Sequence, residues 1–155
     1  MRILGIDPGT GILGFGVIET NGHQPQLVDA GVIRTPPHQP LPERLLTIYN
    51  ELVLLADELK PQVMAVEKLF FARNVTTAMS VSHARGVILL VGQQRSMPIF
   101  EYTPLQIKQA VTGYGKADKK QIQEMVRIML KLEEIPKPDD CADALATALT
   151  HLANT

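Results

Sequence analysis

The sequence predicts one α/β domain built on a mixed sheet covered by helices. Three observations predict it. Three strand-like segments follow one another up to Thr35, strand-like and helical segments alternate after that, and no repeat, low-complexity stretch or linker divides the 155 residues. That length is one domain's worth of chain. Ile3 to Ile6 is a short apolar run that suits a buried strand, and Pro8-Gly9-Thr10-Gly11 after it is turn chemistry. Ile12 to Ile18 reads as the second strand and Gln26 to Thr35 as the third, with the hairpin cue Asn21-Gly22 between them. Pro36, Pro37, Pro40 and Pro42 form a stiff connector. Leu41 to Leu59 then carries Leu45, Ile48, Leu52, Leu55, Ala56 and Leu59 at helical spacing, and Pro61 stops it.

Val63 to Val66 is a fourth strand that runs into Glu67. A long helix from about Asn74 to Gln94 follows, with small residues at Ala78, Ser82, Ala84 and Gly86 that permit close helix approach. Ile99 to Tyr102 is the fifth strand. Thr103-Pro104 opens a short helix that ends at Gly113, because a capping hydroxyl followed by proline suits a first turn. Asp118 with Gln121 is a capping-box variant that opens the next helix, whose Ile122, Met125, Val126, Met129 and Leu130 keep the helical period. Pro136 and Pro138 interrupt before a last helix from about Asp139 to Leu152.

The formal net charge is −1, which taken whole argues against a histone-like polyanion binder. Its distribution is uneven. From Lys68 to Lys131 there are ten basic residues against three acidic ones, so the middle carries +7 and the flanks −8. The single cysteine, Cys141, excludes an internal disulfide and any CxxC zinc or redox pair. No apolar run approaches the roughly 20 residues of a membrane helix, and Met1-Arg2 leads straight into a strand rather than a signal peptide. A reduced, cytoplasmic location is the expectation. Aromatics are 5% of the chain with no Trp, so an exposed ring carries extra interest.

Carboxylates stand at strand ends. Asp7 follows the first strand, where a turn residue before Pro8-Gly9 is the plain alternative, and Glu67 follows four apolar residues. A carboxylate placed there is costly unless paired or coordinated. Asp139-Asp140-Cys141-Ala142-Asp143 opens the last helix, where acids also suit the macrodipole. Asp140 and Asp143, three residues apart, project from one helix face, and Asp143 borders the apolar stripe Ala142, Leu145, Ala146, Leu149 and Leu152. Four carboxylates gathered at one sheet end would repel and raise one another's pKa values, a penalty that a divalent cation removes. All-oxygen ligands favour Mg²⁺ or Mn²⁺ over zinc. Two such ions roughly 4 Å apart can activate a water and stabilise the leaving oxygen of a phosphodiester.

Gly5-Ile6-Asp7-Pro8-Gly9, Val66-Glu67-Lys68-Leu69-Phe70, His83-Ala84-Arg85-Gly86 and Asp140-Cys141-Ala142-Asp143-Ala144-Leu145-Ala146 occur in this order across the chain. In combination they resemble the RuvC family of Holliday-junction resolvases. The resemblance implies a ribonuclease-H-like fold, a five-stranded mixed sheet with three antiparallel strands first. It implies a single nuclease domain over residues 1–155 and a homodimeric, Mg²⁺-dependent endonuclease of four-way DNA junctions. A junction-binding branch-migration complex is the implied partner, and ligatable 3′-hydroxyl and 5′-phosphate ends are the implied products. The family's four acidic ligands fall on Asp7, Glu67, Asp140 and Asp143, with Asp139 as the competitor for the third position.

Adjacent Phe70 and Phe71 beside Glu67 suggest one ring packed inward and one presented to an unstacked base. The resemblance assigns the stacking to Phe70, with Arg73 and Asn74 near the same strand. Lys116, Lys119 and Lys120 cluster around the glycine joint, with Lys108 one turn before it. Lys119 and Lys120 stand in a helix's first turn, where the macrodipole disfavours cations, so phosphate contact is the expectation. The resemblance points to Lys108 and Lys119 as the contacts nearest the acids. It also pairs subunits through the long helix, where Met79, Val81 and His83 are candidates. Two rivals stand beside this reading. Asp7-Pro8-Gly9-Thr10-Gly11 is similar to the phosphate loop of ATPases and sugar kinases, whose duplicated domain 155 residues cannot hold. A non-catalytic junction-binding protein is the other, and the four retained acidic positions speak against it.

Overall fold

β1 (Arg2–Asp7) lies at the centre of the sheet, because it is the strand with neighbours of both senses. It pairs antiparallel with β2 (Ile12–Glu19), which pairs antiparallel with β3 (Gln26–Arg34). On its other side it pairs parallel with β4 (Val63–Glu67), and β4 pairs parallel with β5 (Ile99–Tyr102). The order is β3-β2-β1-β4-β5, the mixed five-stranded sheet with three antiparallel strands first. The computed structural model describes residues 1–68 and 75–155.

Two layers of helix cover the sheet, each over its own core. On one face α1 (Leu41–Leu59) and α2 (Val75–Gln94) bury Ile48, Leu52, Ile88 and Val91 against Leu4, Ile6, Leu13, Met64 and Val66. On the other, α3 (Pro104–Thr112), α4 (Lys119–Met129) and α5 (Asp139–Ala153) pack Ile107, Val126, Leu145 and Leu149 against Ile3, Ile18, Val63 and Ala65. Alternate residues of one strand serve opposite cores, as the pleat requires. Capping boxes at Thr103–Gln106 and Asp118–Gln121 fix where α3 and α4 begin.

Two sequence expectations change. α5 is not buried along a stripe but on nearly every side from Ala144 to His151, because it is wedged between the sheet and α3–α4. Its threonines tolerate this by donating to their own helix, Thr147 Oγ1 to the Asp143 carbonyl at 2.9 Å and Thr150 Oγ1 to that of Ala146 at 2.8 Å. And α2, 20 residues long, is by length and composition apolar enough to cross a membrane, with a mean hydropathy of 1.3 over an 18-residue window. The aliphatic block Val87 to Val91 carries most of that average. Its buried positions, Ala78, Ala84, Ile88, Val91 and Gly92, face the protein's interior.

Candidate active site

Asp7 and Glu67 end adjacent parallel strands whose register runs from Ile3↔Val63 to Ile6↔Val66. Their side chains therefore leave the same edge of the sheet. Glycines bring α5 to that edge. A Cβ on Gly14, the residue opposite Asp7, would lie 2.1 Å from the Asp140 carbonyl, and one on Gly5 would lie 2.0 Å from that of Ala144. Only residues without side chains let the helix rest on the strand backbones this closely. The first turns of α5 thus stand directly over the end of β1.

The outcome is convergence. Carboxylate oxygens of Asp7, Asp140 and Asp143 lie within 4.8 Å of one another. Asp140 is the inward residue of its pair, whereas Asp139 is exposed and turned to Lys119. Glu67 joins through Asp7, the two carboxyl groups sharing a side-chain hydrogen bond. Burial pushes Asp7 up to about 9, reinforced by the charges of Glu67, Asp143 and Asp140 and by the proton it shares with Glu67. Burial also raises Glu67 and Asp143, with Lys119 pulling both back down. A proton held this high by crowded oxygens marks a place where positive charge is wanted. The all-oxygen, partly buried donor set fits a hard divalent cation.

A cleft of about 260 Å³ opens beside the acids, with Glu67, Asp143, Lys108 and Lys119 among its lining residues. Lys119 Nζ lies 3.3 Å from Asp139 Oδ2 and 3.6 Å from Asp143 Oδ2. Burial opposes its charge, but Asp143, Asp139 and Asp140 together hold its pKa above the ordinary lysine value. Lys108 and Lys119 are thus gathered at the acids. Lys116 is exposed on the α3–α4 joint and Lys120 lines a neighbouring hollow with Thr112 and Tyr114, so neither enters this cleft. Phe70, Phe71, Arg73 and Asn74 lie outside the described residues.

Two further residues stand next to this site. Arg85 of α2 donates from Nη1 to the Glu67 carbonyl at 3.0 Å and forms an ion pair with Glu101 of β5. Its signal in the sequence is a cation set between small residues, Ala84 and Gly86, on a helix that otherwise buries apolar side chains. Asp139, the competitor for the third acidic position, is the other, and the structure makes it a partner of Lys119 instead.

A ribonuclease-H-like sheet with acids from β1, β4 and a carboxy-terminal helix at one end defines a class, the metal-dependent nucleases of this fold. The family model described as crossover junction endodeoxyribonuclease RuvC matches residues 3–151, and the chain belongs to that family. It is 60% identical over 151 residues to the crossover junction endodeoxyribonuclease RuvC of Desulfitobacterium hafniense, covering 97% of this chain and 92% of that one. The corresponding protein of Brevibacillus brevis is 55% identical over 151 residues, covering 97% and 91%. Among solved structures, T. thermophilus RuvC in complex with Holliday junction substrate is 38% identical, with a TM-score of 0.95 over 99% of this chain and 94% of that one. The yeast mitochondrial Holliday junction resolvase Ydc2, at 13% identity and a TM-score of 0.71 over 97% and 77%, shares the fold.

Proposed function

We propose that the chain performs its family's reaction, the resolution of four-way (Holliday) DNA junctions in recombination and repair, through Asp7, Glu67, Asp140 and Asp143. The observation that carries this reading is the meeting of three carboxylates within 4.8 Å, beside a fourth that is hydrogen-bonded to one of them. These four residues would hold Mg²⁺, with Mn²⁺ accepted, as two ions per site. The bound metal supplies Lewis-acid activation of a water and charge stabilisation on the leaving 3′ oxygen. Asp7 gives up its proton as the site loads, since only the ionised carboxylate is a ligand. Lys108 and Lys119, lining the same cleft, hold the phosphate against the acids. The ammonium of Lys119 is kept charged and close by Asp143 and Asp139.

Phe70, Arg73 and Asn74 are assigned to an unstacked junction nucleotide, and Lys116 and Lys120 to flanking phosphates. Symmetric nicking needs two equivalent sites, so the working unit is a homodimer. An apolar surface on α2 supports that, with Val75 72%, Met79 58% and Leu90 51% exposed. The remaining parts of the reading are one nuclease domain over residues 1–155, a reduced cytoplasmic location and a branch-migration complex on the same junction.

Cleavage of a synthetic four-way junction in Mg²⁺ tests the site. Asp7→Asn and Glu67→Gln are expected to lose cutting by on the order of 10³-fold or more while still binding the junction. Asp7→Asn cutting at the wild-type rate would overturn the assignment.

A further inference from the structure

We propose that Arg85 is a positioning residue for Glu67, fixing the end of β4 from behind so that the carboxylate faces the acid cluster. The inference rests on the reading of Glu67 as a metal ligand. Glu67 stands one residue beyond the end of the β1–β4 register, which stops at Ile6↔Val66, while the β4–β5 register continues to Glu67↔Tyr102. On the β5 side the Lys68 amide donates to the Tyr102 carbonyl at 2.7 Å. The Glu67 carbonyl has lost the strand that would have paired it, and Arg85 Nη1 donates to it at 3.0 Å.

The guanidinium is itself held. Its side chain is 14% exposed, and a cation so covered is tolerated only when paired. The partner is Glu101, whose register places it beside Val66, one residue short of Glu67. Arg85 therefore ties α2, β4 and β5 together at the one peptide that carries the ligand. Arg85 meets Glu67 at its backbone carbonyl, so its influence on the carboxylate passes through the backbone. A planar fork suits this, because two fixed donors can meet a carbonyl and a carboxylate at once.

The test uses the whole chain and three readouts: Mn²⁺ binding by calorimetry, hydrogen exchange at the Lys68 amide, and junction binding in Ca²⁺. Arg85→Met is expected to weaken Mn²⁺ binding about 10–100-fold, the usual effect of removing a partner that orients a ligand. Lys68 amide protection should fall with it, and junction binding should hold. Arg85→Lys should recover part of the loss, and Glu101→Gln should shift Mn²⁺ affinity the same way by less. Unchanged Mn²⁺ affinity in folded Arg85→Met, even with a lower Tm, overturns the proposal. If that variant does not fold, unchanged affinity in Glu101→Gln overturns it instead. Glu67→Gln separates the two readings: wild-type Mn²⁺ affinity there sinks the ligand assignment, whereas weakened binding there with none in Arg85→Met sinks only the positioning role.

Discussion

The two faces of the sheet are packed by different means. Under α1 and α2 the contact is side chain on side chain, with Ile48, Leu52 and Ile88 filling the space above Leu4, Ile6 and Val66. Under α5 the closest contacts are backbone on backbone: a Cβ on Gly5 or Gly14 would run into carbonyls of an alanine-rich helix, and one on Gly16 into the Leu145 side chain. Large aliphatics stabilise more per residue, since each buried one contributes roughly 1.5–3 kcal/mol. Close backbone contact gives up that gain and leaves α5 few alternative seats. The face that must place Asp140 and Asp143 within 4.8 Å of Asp7 is the one packed for placement, and the opposite face is packed for stability.

The sharpest way to break this contrast is a pair of single changes. Gly14→Ala forces the Asp140 carbonyl away from β2. Cleavage should fall about 10²-fold, as expected when a reacting group moves by an ångström or so, for a stability cost of ~1–3 kcal/mol. Leu52→Ala on the other face should cost ~2–5 kcal/mol in denaturant unfolding yet leave cleavage per folded molecule unchanged. If both variants lose activity in proportion to stability, the two faces do not divide the work.

The next largest effect lies within the basic lip, between a lysine that touches the acids and one that does not. Lys119, paired with Asp139 and Asp143, should mainly lower the cleavage rate when changed to alanine. Lys120, outside the cleft, should mainly weaken junction binding when changed likewise, flattening its salt dependence by roughly one unit of slope. Binding titrations across salt concentrations decide. An unchanged slope for Lys120→Ala places it in bulk solvent.

Local chemistry was legible in the chain, and three-dimensional closeness was legible only in part. Caps at Thr103 and Asp118, the glycine stop at Gly113 and the short strands follow from short-range rules, and they stand where those rules put them. Asp7 and Glu67 could be read as strand-end acids from the apolar residues before them. The choice between Asp139 and Asp140 could not be decided by spacing, since both open the same helix. It depends on how α5 rotates on Gly14, a contact between residues 126 positions apart in sequence. Arg85 escaped a role for the same reason. Its partners are a carbonyl on β4 and a carboxylate on β5, and no periodicity within α2 announces either. The burial of α5 on nearly all sides was also hidden, because alanine and threonine read as neutral in a hydrophobic pattern yet suit a helix pressed between layers.

The smallest expected effect concerns the far end of α5, and it asks whether that helix is functional along its whole length or only at its start. His151 is buried among Phe100, at a ring-centroid distance of 4.5 Å, and Tyr102, whose hydroxyl lies 2.8 Å from Nδ1. Burial lowers its pKa, so the folded protein favours the neutral ring. The stability this contributes is complete above the unfolded histidine's pKa near 6.5 and is lost as the pH falls below it toward the folded value. The acid cluster pulls in the opposite direction, since the raised Asp7 and Glu67 favour the folded state as the pH drops. The two are separated by comparison with His151→Gln. Between pH 7 and 5 the unfolding free energy of the wild type should lose ground relative to the variant, at a slope below ~1.4 kcal/mol per pH unit, read by denaturant unfolding. Junction cleavage by the two at pH 8 should be alike. A cleavage defect in His151→Gln at that pH would mean that the tail of α5 also helps to set Asp140 and Asp143, and the placement face would then extend the full length of the helix.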